Sequence, residues 1–290
     1  MRPCCVRARL HSGLGNRLYT AVEVALVAAA RNCSLALPDE LHRWFVLPSF
    51  VRRDRDRDRD RDRDRDRDAR CEPVRSMQAA SADADVRAAA TRALDAPDFQ
   101  RARARVFRLL FARPRRSVVT PPLARVPFET AVHLRFATDV ACQTYTDIRA
   151  CHTFCVRSAP LGCVVRHAVP PVLILSDSAA ASAKLRGLFA RRGVRDVWEE
   201  GDLLGALDAR NHSGLSERAA WQSMRLWAAF MNAPIRFASG ISTFSKSALL
   251  AAPSARPRTD RVVDTRCRKA HRSDGELFEC RVAALGRDLT

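Results

Sequence analysis

The chain has 290 residues, which is enough to bury a substantial core in one large domain or in two lobes. Its formal net charge of +18 favours an anionic partner such as a nucleotide, a nucleic acid or a membrane surface. Only three residues are lysines, and a GC-rich genome produces such an arginine excess as readily as selection for a binding surface does. Aromatic residues interleaved with basic ones, which single-strand binding proteins use for stacking, are sparse. We therefore expect no specific nucleic-acid partner.

The chain opens with a strand, a glycine turn and a helix. Residues 6–11 predict a short strand, and Gly13 with Gly15 predicts a tight turn that other residues would strain. From Asn16 onward apolar residues recur at helical spacing, until Asn32 can end the helix before a second short strand. The N-terminus of such a helix suits an anion such as a phosphate.

An Arg-Asp repeat follows at residues 53–68. It contains no apolar residue, so we interpret it as a solvated loop insertion, and its use as an interaction module is the weaker interpretation. Two helices are then predicted, at residues 77–94 and 99–111. In the second helix we expect the apolar residues to pack and the arginines to face solvent: inward Val106, Leu109 and Leu110, outward Arg101, Arg103, Arg105 and Arg108.

The second half of the chain alternates strands with helices. A proline-rich linker is predicted at residues 113–127, and residues 137–168 are expected to be irregular. Alternation of this kind predicts a parallel α/β sheet, in which ligands lie beyond the carboxyl ends of the strands. The predicted strands are 130–136, 172–176, 194–198 and 235–238, and the predicted helices are 179–192, 216–232 and 243–251.

These elements predict an α/β fold with parallel sheets and flanking helices in two lobes. The N-terminal lobe is expected to span residues 1–113 and to carry the Arg-Asp repeat as its insertion. The C-terminal lobe is expected to span residues 128–260 and to bind the ligand, and residues 261–290 are left as a tail.

The ten cysteines give no paired CxxC spacing of the structural zinc type. Disulfides in a secretory-pathway protein would explain them, and unpaired, partly buried thiols are the open alternative. No apolar run is long enough to span a membrane, and the first residues carry no apolar signal region. Either the protein is cytosolic or the chain lacks its true N-terminus. Six cysteines follow the predicted linker: Cys142, Cys151, Cys155, Cys163, Cys267 and Cys280.

The glycine turn by itself identifies no ligand. It lacks the third glycine of the dinucleotide fingerprint, and no acidic residue ends the second strand, which argues against NAD. A second motif, His133-Leu-Arg135, ends a strand, so that both side chains share one face and Arg135 can grip a diphosphate. Taken alone, it also fits a surface arginine beside a core histidine.

Two further motifs end strands of the C-terminal lobe. Asp177 follows a buried strand, where it can hydrogen-bond a base or ribose, although Ser176 or Asp177 can equally cap the next helix. The segment 239–246 reads as strand, glycine turn and helix start, with hydroxyls that can cradle a phosphate. It lacks the spacing of a Walker loop, and a simple N-cap serine is the alternative.

Taken in order, these four motifs resemble those of the fucosyltransferase-like glycosyltransferases, the α-1,2-, α-1,6- and protein O-fucosyltransferase relatives. The run Gly13-Leu-Gly15-Asn16 is similar to their first-lobe glycine turn, and His133-Leu-Arg135 to their His-x-Arg motif. The strand that ends at Asp177 and the segment 239–245 resemble their later nucleotide motifs. The resemblance covers residues 7–253 and implies two Rossmann-like lobes in the GT-B arrangement.

The resemblance implies a glycosyltransferase that moves fucose from GDP-fucose to a glycan or protein acceptor. It implies that Arg135 holds the β-phosphate and stabilises the departing nucleotide without a metal or a cofactor. The resemblance implies Asn16 as the second catalytic residue. It also implies that Asn16, Gly13 and Gly15 line the sugar side of a cleft between the lobes. The donor-binding residues are expected to be His133, Asp177, Ser242, Thr243, Phe244 and Ser245.

Some features depart from the family or stay open. Phe136-Ala-Thr-Asp139 stands where many members have Arg-Gly-Asp, and Asp139, Glu23 and His11 are only candidates for the general base. The resemblance implies the Golgi or ER lumen, with membrane association only if an N-terminal anchor is missing from this chain. The alternatives are a catalytically inactive relative, a basic nucleotide- or nucleic-acid-binding protein, and an unrelated Rossmann-like enzyme that uses another nucleotide.

Overall fold

A computed structural model of the chain describes residues 4–10, 13–54, 71–74, 76, 78–119, 128–136, 161–204, 217–240, 242–252, 259–263 and 281–282. The chain divides into two compact units. The first comprises Met1–Val118 with Leu250–Pro253, and the second comprises Val119–Leu249 with Ser254–Thr290.

Helices and strands alternate along most of the described chain. The strands are β1 (Cys5–Ala8), β2 (Ser34–Pro38), β3 (Val51–Asp54), β4 (Glu72–Val74), β5 (Thr130–Leu134), β6 (Val172–Ser176), β7 (Val197–Glu199), β8 (Ile235–Ser239), β9 (Thr259–Val263) and β10 (Arg281–Val282). The helices are α1 (Leu14–Ala30), α2 (Asp39–Trp44), α3 (Ala84–Ala93), α4 (Phe99–Phe111), α5 (Arg116–Val119), α6 (Leu161–His167), α7 (Ala179–Arg191), α8 (Glu200–Leu204), α9 (Glu217–Asn232) and α10 (Thr243–Ala251).

The first unit contains a four-stranded parallel sheet in the order β3-β2-β1-β4. Helix α1 follows β1 and buries Leu18, Val22 and Leu26 completely, which is the stripe that its apolar spacing predicts. Two disulfides clamp the sheet, because Cys4 is bonded to Cys33 and Cys5 to Cys71. Residues next to or within β1 are thereby joined covalently to the residues that immediately precede β2 and β4.

The second unit contains a six-stranded sheet in the order β10-β9-β8-β5-β6-β7. All of its neighbouring strands are parallel except the β10–β9 pair at one edge. Val172 to Ile174 of β6 are completely buried, as a continuous apolar run predicts for a strand covered on both faces. Val132, Phe189 and Phe237 join this strand in the core. The predicted α/β class, with two mainly parallel sheets and flanking helices, is confirmed.

Several local predictions need correction. Gly13 has φ −66° and an added Cβ would meet nothing within 4 Å, so the backbone does not require glycine there. Gly15 lies inside α1 rather than in a turn. The predicted helix 77–94 begins only at Ala84, because Asp83 caps it by accepting from the amides of Asp85 and Val86.

The α4 helix has the predicted bounds, but two of its side chains point the other way. Arg103 is 7 % exposed rather than solvent-facing, and Leu109 is 49 % exposed rather than packed. Strand β3 also includes Arg53 and Asp54, the first two residues of the Arg-Asp repeat, whose remainder lies outside the described residues.

Further differences concern segments that were predicted to be irregular. Residues 161–167 form helix α6, and residues 116–119 form helix α5 within the predicted linker. The segment 261–290, expected as a tail, contributes the end of β9 and all of β10 to the second sheet. Within the described parts of the chain, no helix combines the length and the apolar character that crossing a membrane requires.

Candidate functional site

The motifs predicted to bind the donor meet at the carboxyl edge of the second sheet. Strand β5 lies between β8 and β6, so the carboxyl ends of these three parallel strands are neighbours. After β5 the chain runs outward to β6 and β7, and it then returns to place β8 on the other side of β5. The β5–β8 boundary is therefore a topological switch point, where open α/β sheets bind ligands.

An ion pair joins two of the predicted donor-site residues at this edge. Arg135 Nε lies 3.4 Å from Asp177 Oδ2, and the two side chains are 28 % and 17 % exposed. The amide of Phe136 donates to Asp177 Oδ1 at 2.8 Å. Asp177 therefore holds both the Arg135 side chain and the backbone that follows it, while the guanidinium keeps surface that an anion can reach.

Asp177 does not cap the helix that follows it. The cap is Ser178, whose Oγ accepts from the amide of Ala181 at 3.2 Å. Ser176 bridges the strands, since its Oγ donates to the carbonyl of Leu134 at 3.0 Å and accepts from the amide of Ser178 at 3.1 Å. The capping alternative is thus wrong for both residues that the sequence offered for it.

Glu200 joins this edge and was missed from the sequence. It begins α8 directly after β7, and its Oε1 accepts from the amide of Ser176 at 3.0 Å. Burial, followed by the charges of Asp177 and Glu199, raises the pKa of Glu200 to about 7, against the lowering effect of the Ser176 hydrogen bond. An acidic residue at the end of a parallel strand is the signal that would have found it.

His133 contacts the first turn of α10 through an aromatic stack. Its ring lies 4.9 Å from that of Phe244 at an interplanar angle of 28°, and Phe230 meets it edge-on at 6.3 Å. Ser247 holds the backbone of Phe244 in place, because its Oγ donates to the Phe244 carbonyl at 2.8 Å and accepts from Trp227 Nε1 at 2.9 Å. The His-x-Arg motif and the last motif are therefore packed together.

The hydroxyls at the start of α10 differ in their surroundings. Ser242 is 6 % exposed and Ser245 is fully buried. Ser245 Oγ lies 3.5 Å from the carbonyls of both Ser239 and Ser242, so its hydroxyl faces the turn itself. Thr243 and Phe244 are half-buried and begin the helix. A Cβ added to Gly240 would lie 3.2 Å from Val262 Cγ1, so glycine lets this turn pass close to β9.

The remaining predicted residues lie in the first unit. Gly13 precedes α1, and Gly15 and Asn16 fall in its first turn. The carbonyl of Asn16 accepts from Thr20 Oγ1 at 2.9 Å, and the carbonyl of Gly13 accepts from the Arg17 amide at 3.1 Å. The structure groups these three residues at one helix N-terminus, and their role toward a sugar stays a prediction.

Glu23 cannot serve as the general base. It is completely buried and its Oε1 accepts from Arg103 Nη2 at 2.8 Å and Nε at 3.1 Å. Its Oε2 accepts from the amides of Ala80 and Ser81 at 3.0 and 2.9 Å. The other two candidates, Asp139 and His11, lie outside the described residues.

Among the described residues, no three histidine, cysteine, aspartate or glutamate side chains lie together in a group that could hold a metal ion. Catalysis without a metal stays a prediction. The cysteines give a clearer result: every described one is in a disulfide, including Cys163.

No family model matches this chain, and no curated protein matches its sequence. Solved structures do resemble it. The fucosyltransferase NodZ from Bradyrhizobium, in its selenomethionine form, has a TM-score of 0.50 at 12 % identity over 91 % of this chain and 95 % of that one. A point mutant of FUT1 from Arabidopsis thaliana, in complex with GDP, has a TM-score of 0.51 at 12 % identity over 90 % of this chain and 70 % of that one. The chain therefore has the fucosyltransferase-like fold that the order of its motifs predicts.

Proposed function

We propose that this protein is a glycosyltransferase that moves fucose from GDP-fucose to a glycan or protein acceptor. The observation that carries the proposal is the meeting of Arg135, Asp177 and the His133–Phe244 stack at the β5–β8 switch point. An arginine, an aromatic surface and a helix N-terminus are the groups that a nucleoside diphosphate needs.

Arg135 is the proposed diphosphate ligand. Its contact with Asp177 is through Nε, and its side chain is 28 % exposed, so a phosphate can approach the other face of the guanidinium. In the transfer, the bond between C1 of fucose and the β-phosphate oxygen breaks while the oxygen of an acceptor hydroxyl forms its bond to C1. The hydroxyl proton passes to a general base, for which Asp139 and His11 stay the candidates. The electron pair leaves with GDP, and Arg135 stabilises the charge that develops on the β-phosphate.

The other residues complete the proposed site. The main role of Asp177 is to position Arg135, because one of its carboxylate oxygens contacts the Arg135 guanidinium and the other accepts from the amide of Phe136. Phe244 and the backbone at the start of α10 face the nucleoside, with Ser242 and Thr243 beside them. We retain Asn16 and the glycines Gly13 and Gly15 as the proposed sugar-side residues. The Arabidopsis protein of similar fold is solved in complex with GDP, which supports this choice of nucleotide.

The experiment is a nucleotide-binding titration with a matched arginine control. GDP at about 100 times its Kd should stabilise the wild-type protein by about 2.7 kcal/mol. In Arg135→Ala we expect GDP affinity to fall at least tenfold, whereas Arg192→Ala, which removes an exposed arginine from the end of α7, should bind as the wild type does.

Two results would contradict this assignment: no stabilisation of the wild type by GDP, or equal losses in the two variants. Binding that weakens steeply with salt and extends to any polyanion would instead favour the nucleic-acid alternative. Because an inactive relative would also bind GDP, transfer of labelled fucose from GDP-fucose needs a separate assay.

We also propose that the protein works in an oxidising compartment, the lumen of the Golgi or ER. The Cys4–Cys33 and Cys5–Cys71 disulfides support this, because such bonds persist there and are rare in the cytosol. Protein isolated from its native cells and alkylated without reduction should show these four thiols unmodified by mass spectrometry. Their full alkylation would place the protein in a reducing compartment.

A further inference from the structure

Glu200 lies one hydrogen bond from the strand end that supports the proposed diphosphate site. Its Oε1 accepts from the amide of Ser176, and Ser176 Oγ donates to the carbonyl of Leu134, the residue before Arg135. Ser176 is also followed directly by Asp177, the ion-pair partner of Arg135. The carboxyl ends of β5, β6 and β7 are thus connected in one chain of contacts that begins at Glu200.

The charges around Glu200 are mostly negative. Strands β6 and β7 pack against α8, and they bring Asp177 and Glu199 toward Glu200. The charge of Glu199 is partly met by Arg186 Nη1 of α7 at 3.4 Å, and the Glu199 amide donates to Asp202 Oδ2 at 2.8 Å. In these surroundings the pKa of Glu200 is raised to about 7, with burial as the largest cause.

We propose that Glu200 is a positioning residue for the Arg135–Asp177 pair and that its negative charge opposes anion binding there, so that the donor is held more tightly when Glu200 is protonated. This inference rests on the proposed function, since it assigns the diphosphate to Arg135. Protonation removes one negative charge from the group that faces Asp177, while either form of Glu200 can accept from Ser176. Protonation of Glu200 therefore changes the charge near Asp177, while the hydrogen bond from the Ser176 amide is kept.

The test measures GDP-fucose affinity by calorimetry between about pH 6 and about pH 8. GDP-fucose is chosen because its diphosphate is esterified at both ends and has no group that titrates in this range, unlike the terminal phosphate of GDP. Wild-type affinity should fall about tenfold as the pH rises. Glu200→Gln keeps an acceptor for Ser176 without a titrating proton, so its affinity should be flat and equal to that of the wild type at low pH.

Two more variants separate charge from position. Glu200→Ala leaves the Ser176 amide without its acceptor, so it should bind GDP-fucose more weakly at every pH, and Glu200→Gln should restore the affinity. Glu199→Gln removes a neighbouring carboxylate of equal charge, and it should keep the pH slope with a slightly lower midpoint, because Glu199 contributes to the raised pKa of Glu200.

A pH slope that survives in Glu200→Gln would overturn the inference and assign the titration to another group. A flat wild-type profile would overturn it as well. Failure of GDP-fucose to bind at any pH would contradict the proposed function and this inference with it. Binding whose pH slope is the same in the wild type and in Glu200→Gln would contradict the inference alone.

Discussion

Two arginine–carboxylate pairs, one in each unit, have similar chemistry and opposite surroundings. In the first unit, Arg103 and Glu23 have side chains that are 8 % and 0 % exposed, and their closest atoms lie 2.8 Å apart. In the second unit, Arg135 and Asp177 are 28 % and 17 % exposed, and their atoms lie 3.4 Å apart. The first pair lies between helices, and the second lies at the carboxyl edge of a sheet.

The difference shows which pair is available for binding. Both carboxylate oxygens of Glu23 accept hydrogen bonds from two donors each, from Arg103 and from the amides of Ala80 and Ser81. Because both of its oxygens are occupied, the Glu23 carboxylate holds α1, α4 and the turn before α3 together and is not available to bind a ligand. The guanidinium of Arg135 faces its partner through one nitrogen and keeps exposed surface, so an anion can add to it.

The sharpest test of this comparison is Arg103→Ala. It leaves the carboxylate of Glu23 buried with only two amide donors, so we expect the free energy of unfolding to fall by about 3–5 kcal/mol. Denaturant unfolding measures the loss. Arg108→Ala, which removes an exposed arginine from the same helix, should change it by less than about 0.5 kcal/mol. Equal small changes in both variants would show that the Glu23–Arg103 pair is not structural.

This pair also marks where prediction from sequence ends. The helix 99–111 has the predicted bounds, because its apolar periodicity is local and Asp98 caps it. The inward turn of Arg103 depends on a carboxylate 80 residues earlier in the chain, and no local pattern reports that. Burial of a charged residue is decided by its partner rather than by its helix.

The strands show the same limit. Strand β6 has the predicted bounds because a continuous apolar run needs no partner to be recognised. Strands β3 and β9 carry charged residues at alternate or adjacent positions, and they become strands only by pairing with β2 and β8. The prediction that Arg135 and Asp177 lie at one edge followed from their positions at the carboxyl ends of predicted parallel strands. The predicted strand 194–198 stopped short of Glu200, whereas β7 runs from Val197 to Glu199 and so places Glu200 at the same edge.

Glu200 sharpens the comparison through the pH dependence of stability. Its pKa is about 7 in the folded protein and near 4.5 in the unfolded chain. Below about pH 4.5 both states are protonated; as the pH rises toward 7 only the unfolded state ionises, so stability is lost, and above about pH 7 the loss is complete. Allowing for the partial exposure of Glu200, we expect Glu200→Gln to stabilise the protein by about 2 kcal/mol near pH 8.

Denaturant unfolding of wild type and Glu200→Gln at several pH values measures this difference, which should shrink toward zero near pH 4.5. A difference that stays constant across the range would mean that the side chain acts through packing alone. The expected result would show that the edge of the second sheet holds a carboxyl group at a cost in stability, as binding sites often do, whereas the Glu23–Arg103 pair stabilises the fold.

The smallest change in stability is expected for Arg135→Ala, the counterpart of Arg103→Ala. Asp177 keeps its hydrogen bond from the amide of Phe136, and its side chain is 17 % exposed, so water can replace the lost guanidinium. We expect the free energy of unfolding to fall by less than about 1 kcal/mol, although the affinity for GDP should fall at least tenfold in the same variant. A loss as large as that of Arg103→Ala would make Arg135 a structural residue, and the difference in exposure between the two pairs would then no longer separate binding from folding.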